Sequence, residues 1–191
     1  MSLFTYYQRG LLLLFSFFLL SCGGRSIPEK AQAVDNFEVE RYLGTWYEIA
    51  RFDFYFERDL DNTTAQYSLN EDGEVKVVNR GFHVKDNEWQ QAEGIAKFRG
   101  DKKIAELEVS FFGPFYSGYN VIALDPEYQY ALIAGKNLDY LWILSREKTI
   151  PEAIKQQYLA LAQEVGYDIS RLIWVNHDKD DQASAPKESH P

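Results

Sequence analysis

Between Gly44 and Ser145 the chain repeats one pattern, a short run of alternating apolar and polar residues followed by a turn. Alternation with period two puts the apolar side chains of a run on one face of an extended strand, so each run needs a sheet with one buried side. The runs are Gly44–Phe52, Thr63–Leu69, Val75–His83, Trp89–Phe98, Ile104–Phe112, Tyr119–Leu124, Tyr130–Ala134 and Leu141–Ser145. Turn residues separate them at Asn70–Gly73, Lys85–Asn87, Gly100–Lys102, Asp125–Pro126 and Lys136–Asn137. Connections this short join antiparallel neighbours. The expected fold is therefore all-β, an eight-stranded up-and-down antiparallel barrel that removes sheet edges and leaves a small lumen.

One segment changes period. Thr149 and Glu152 have capping-box spacing, and Pro151 suits a first turn. Ile154, Tyr158, Leu161 and Val165 share a helical face, and Gly166 supplies a stop. This predicts a C-terminal α-helix over 150–165, packed outside the barrel, before a short final strand at Ile173–Val175.

The ends differ from the middle. Arg9, the apolar run Leu11–Leu20 and the small residues Ser21, Gly23 and Gly24 have the layout of an export signal over 1–21. Residues 22–36 read as a tether, 37–176 as the folded domain, and 177–191 as a disordered acidic tail with almost no apolar surface to bury. Cys22 is the only cysteine, so no intramolecular disulfide can form. A net charge of −9 argues against nucleic acid as a partner. Aromatic residues make up 16% of the chain, which suits either a packed core or a cavity wall for an apolar guest.

Leu19-Leu20-Ser21-Cys22 resembles the bacterial lipoprotein box. That resemblance implies lipidation at Cys22 and membrane attachment through it. Gly23, in place of Asp, implies the outer membrane. Gly44-Thr45-Trp46 resembles the first signature of the lipocalin family, Asn120–Asp125 with Tyr128 and Tyr130 the second, and Ser145-Arg146 the third. Leu124 stands where many members carry Thr, so the second is partial. The Tyr42–Arg51, Ser110–Tyr116 and Leu141–Arg146 stretches are most similar to bacterial outer-membrane lipocalins. The resemblance implies a calyx whose structural signature is Gly44, Trp46, Asp125 and Arg146, with Trp46 plugging the closed end beneath Arg146. It also implies a fatty acid or lysophospholipid ligand, a lipid-anchored position on the periplasmic side of the outer membrane, a role in storing or transporting lipid for the envelope, and a possible homodimer.

Inward parity nominates Ala50, Phe52, Ala65, Tyr67, Val77, Asn79, Ala92, Gly94, Ala96, Leu107, Val109, Phe111, Tyr119 and Trp142 as the ligand-binding wall. The small residues Ala92, Gly94 and Ala96 suggest space left open, or relief of crowding where a barrel bends. Glu48 shares the parity of Trp46 and would need buried partners. Arg51, Arg58 and Arg80 read as solvated charges or as partners for an anionic headgroup. The aromatic loop Asp53–Arg58 would overhang the open end, whereas the end occupied by Gly113–Gly118 is left open.

No metal-ligand spacing, nucleophile triad or cofactor motif is present, so neither an enzyme nor a bound cofactor is expected. The alternatives are a tetrapyrrole or haem carrier, with His83 as the axial ligand available in the domain, an isomerase-type lipocalin, and a filled barrel that works through its surface.

Overall fold

The computed structural model describes residues 26–179. The expected export signal, Cys22 and most of the acidic tail lie outside the described residues. A single turn of helix, α1 (Val39–Tyr42), precedes β1 (Gly44–Arg51), β2 (Leu60–Leu69), β3 (Val75–His83) and β4 (Glu88–Phe98). There follow β5 (Glu106–Phe112), β6 (Phe115–Leu124), β7 (Tyr130–Ala134), β8 (Leu141–Ser145), α2 (Glu152–Val165) and β9 (Ile173–Trp174). Each of β1 to β8 pairs antiparallel with its sequence neighbour, β8 returns to pair with β1, and β9 adds to β1 from outside. The sheet is closed.

Closure separates two apolar layers. One fills the barrel's lower interior around Trp46, Tyr67, Val77, Leu107 and Ile133. The other lies between the outer wall and α2, where Tyr158, Ala162 and Val165 meet Ile49, Leu132 and Ile143. Gly166 ends α2 at φ +114°, and its N–H and that of Tyr167 both reach the Ala162 carbonyl. A left-handed residue here favours glycine. The start of the helix differs from expectation. Pro151 is the N-cap and no side chain caps it; the Thr149 carbonyl instead accepts from Ser145 Oγ at 2.8 Å.

Both terminal boundaries also differ. Residues 26–36 are packed on the wall: Asn120 Nδ2 donates to the Ser26 carbonyl at 2.7 Å, and Val34 exchanges backbone bonds with Val121 and Ala105. Backbone groups need partners whatever side chains they carry, so a segment poor in apolar residues can still be held. At the other end His177 to Lys179 remain against the barrel, with Lys179 N–H donating to Asn62 Oδ1 at 2.8 Å and His177 Nε2 lying 2.8 Å from the Glu48 carbonyl.

Candidate functional site: a one-ended lumen

β1 starts at the base of the barrel and, because connections alternate ends, the 53–59, 84–87, 113–114 and 135–140 loops all gather at the opposite, open end. This places the Gly113–Gly118 stretch at the mouth.

The base is sealed. Trp46 is fully buried, and Nε1 donates to the Tyr42 carbonyl at 2.8 Å. Arg146 lies over its ring at 3.9 Å and donates to the carbonyls of Thr45, Tyr128, Arg41 and Leu43. Gly44 adopts φ +93°, a left-handed backbone conformation that favours glycine, next to the Arg146 guanidinium. Asp125 holds the next turn, its carboxylate accepting from the N–H groups of Glu127, Gln129 and Tyr130. Phe37, 5.3 Å from the Tyr42 ring and 6.1 Å from Phe98, completes the floor.

Above the floor is a cavity of about 620 Å³. Tyr67, Val77, Asn79, Ala92 and Ala96 line one side. Leu107, Val109, Phe111, Tyr119 and Trp142 line the other, and Ala65 is also in the wall. Tyr119 Oη bridges Tyr42 Oη at 2.7 Å and Tyr67 Oη at 2.8 Å. Burial raises all three phenols above their ordinary range, so the chain is neutral and pairs its own hydroxyls. The Asn79 side-chain oxygen is buried without a hydrogen-bond partner among the described residues.

Three nominated positions do not line the cavity. Ala50 and Phe52 pack outside, in the layer shared with α2, because β1 skips a residue against β8 between Glu48 and Ala50. One extra residue inverts the phase of a period-two strand. Phe52 stands edge-on to Tyr167 at 5.7 Å, with Arg171 over its face at 4.6 Å. Gly94 is inside, but its space is taken: a Cβ would lie 2.8 Å from Phe111 Cδ1 and 2.7 Å from the Ser110 carbonyl oxygen. Glycine here seats a ring of the wall rather than leaving room.

The same bulge turns Arg51 inward. It is 2% exposed, not a solvated charge, and donates to Glu48 Oε1 at 2.9 Å and to the carbonyls of Glu57 and Leu60. Thr63 Oγ1 donates to the same Glu48 oxygen at 3.0 Å, and Trp142 Nε1 donates to Glu57 Oε2 at 2.9 Å. Burial, then the Glu57 carboxylate, push Glu48 up to about 8 despite Arg51. Burial also raises Glu57. One guanidinium thus serves two carboxyl groups, and the cluster keeps a proton at neutral pH. Arg58 remains on the surface with Asp53 at 3.0 Å, and Arg80 lies over the Trp89 ring at 5.1 Å. His83 is not in the cavity wall; its Nδ1 sits 2.8 Å from Asp86 Oδ2.

Sequence patterning missed Phe37, Tyr42 and Glu57. A four-residue helix and a loop carry no periodicity, and no local signal points to them.

A sealed floor, an open rim and an apolar lumen define a calyx for a small hydrophobic ligand. Residues 37–177 match the model of the lipocalin-like domain, and the chain belongs to the lipocalin family. It is 54% identical over 160 residues to the outer membrane lipoprotein Blc of Citrobacter freundii, covering 84% of this chain and 90% of that protein. It is 45% identical over 165 residues to the Vibrio cholerae protein of the same name, covering 86% of this chain and 95% of that one. Temperature-induced lipocalin-1 of Arabidopsis thaliana is 37% identical over 179 residues, covering 85% of this chain and 88% of that protein. Among solved structures, insecticyanin from the tobacco hornworm superposes with a TM-score of 0.64 at 20% identity, covering 83% of this chain and 89% of that one, a likeness of fold.

Proposed function

We propose that this protein is a lipid carrier anchored through Cys22 to the outer membrane on its periplasmic side, holding one fatty acid or lysophospholipid in the lumen for envelope storage or transport. The lumen carries the reading. At about 620 Å³ it lies within the range of small-molecule sites, it is walled mainly by aliphatic and aromatic side chains, and it is closed at one end. An acyl chain fits such a wall, with its polar head toward Glu57, Trp142 and Tyr140 at the mouth. The anchoring part rests on the Ser21-Cys22 motif and on the relatives' description as outer membrane lipoproteins.

The reading is of a carrier without catalysis, and it is supported by the engagement of the lumen's carboxyl groups with Arg51, Thr63 and Trp142. A haem carrier would need an axial ligand in the wall, and His83 points to Asp86 instead. Native mass spectrometry of protein purified from membranes tests the reading. One acyl-chain lipid per barrel, extracted chemically unchanged, is expected. An empty barrel that also refuses added fatty acid, or a coloured macrocycle in the extract, would overturn it.

A further inference from the structure

Ser26 is held near the mouth. Its carbonyl carbon would lie 3.0 Å from a Cβ at Gly118, and its carbonyl oxygen takes the Asn120 amide that also reaches the Ala134 and Gly135 carbonyls. Gly118 is three residues from Phe115 at the rim, roughly 10 Å along the strand. It is six residues from Leu124 at the base, roughly 20 Å, and the Asp125–Gln129 turn projects further. Three residues separate Cys22 from Ser26. Four steps of extended chain span at most about 14 Å. An anchor on Cys22 therefore reaches the plane of the rim and falls short of the plane of the base.

The two ends of the barrel differ in the same sense. Exposed large apolar side chains crowd the mouth, with Phe115 at 80% and Tyr55 at 74%, joined by Phe56, Phe112, Val84 and Leu138. At the base, among the described residues, they are Leu69 and Ile104. The rim rings form one surface: Tyr140 meets Phe54 at 5.4 Å, Phe54 meets Phe56 at 5.4 Å, and Phe56 meets Phe112 at 5.3 Å across the opening. Rim charges are largely spent on each other, in Arg58–Asp53 and Lys85–Asp59. A chain of net charge −9 gains no attraction from anionic lipid, so contact with a bilayer must come from apolar rings and the covalent anchor.

We propose that the aromatic rim is a bilayer-docking surface: the short link from Cys22 holds the mouth, not the base, against the membrane. Lipid then passes between bilayer and lumen without crossing water. This rests on the anchored-carrier reading above, since it requires acylation of Cys22.

The test uses the full-length lipidated protein in vesicles of phosphatidylethanolamine and phosphatidylglycerol containing spin-labelled lipid. Cys22 is acylated, so a cysteine introduced by Phe115→Cys or Tyr55→Cys at the rim, or Leu69→Cys or Ile104→Cys at the base, takes an environment-sensitive dye alone. Rim dyes should be quenched several-fold more than base dyes. Quenching of the Tyr55→Cys dye should fall to the base level when about fifteen Gly/Ser residues, spanning about 20 Å on average, are inserted after Gly24 and combined with Phe56→Ser and Phe115→Ser. Equal quenching at both ends, or stronger quenching at the base, overturns the orientation. A mass spectrum with no acyl group on Cys22 overturns the anchor itself and is read separately from the dyes.

Discussion

Glu48 and Arg51 lie three residues apart on one strand and are joined by a buried hydrogen bond of 2.9 Å inside the barrel. In a regular strand such residues point to opposite faces. The pair exists because β1 bulges at Ile49 where it pairs with β8, and that irregularity also sends Ala50 and Phe52 outward. It thus sets both the polar content of the upper lumen and the seat of the C-terminal helix.

The shared proton makes stability depend on pH. Glu48 is raised from its ordinary value near 4.5 to about 8, so the folded state binds the proton more tightly than the unfolded chain. The stability this supplies is complete below about 4.5 and is lost as pH rises through about 8. The urea midpoint should fall between pH 5 and pH 9, and Glu57→Gln, which removes the neighbouring carboxylate, should flatten that fall. Parallel curves for the two proteins would refute the shared-proton account.

Arg146 joins four carbonyls and the Trp46 ring at the base. Arg146→Ala removes these charge-assisted bonds and the stacked cation, and should cost about 3 kcal/mol in chemical unfolding. Arg146→Lys should recover only part of it, because an ammonium cannot fork to four acceptors. A loss under about 0.5 kcal/mol would mean that the arginine behaves as an ordinary surface charge.

Phe52 separates stability from binding. Phe52→Ala should destabilise the protein by about 3–5 kcal/mol through loss of packing against Tyr167 and Arg171. Binding of a fluorescent fatty-acid analogue, measured well below the unfolding midpoint, should be unchanged. A large affinity loss would put the ring back in the lumen.

Ala96 faces the cavity from β4. Ala96→Trp should lower affinity for the same analogue at least tenfold, about 1.4 kcal/mol, within a stability cost of about 1–3 kcal/mol for an overfilled site. Full binding in the folded variant would show that ligand does not use this depth of the lumen.

Much of the site was legible because parity is local. Tyr67, Val77, Asn79, Ala92, Ala96, Leu107, Val109, Phe111, Tyr119 and Trp142 all sit in the cavity wall, as alternation along their strands requires. Gly94 kept its parity, yet its role depended on where the Phe111 ring, one strand away, would land. Arg51 read as a surface charge because nothing in Glu48-Ile49-Ala50-Arg51 marks a bulge.

By itself the sequence determined the strand count, their order, the antiparallel pairing, the late helix and the family, since alternation, turn chemistry and signature residues act over a few positions. Only the tertiary structure decided where β1 changes phase, how Phe37 and Tyr42 seal the floor, and that Ser26 is clipped near the mouth. Those outcomes depend on closing β1 against β2 and β8 at once, and on backbone groups meeting partners distant in the chain. No window of neighbouring residues contains that constraint.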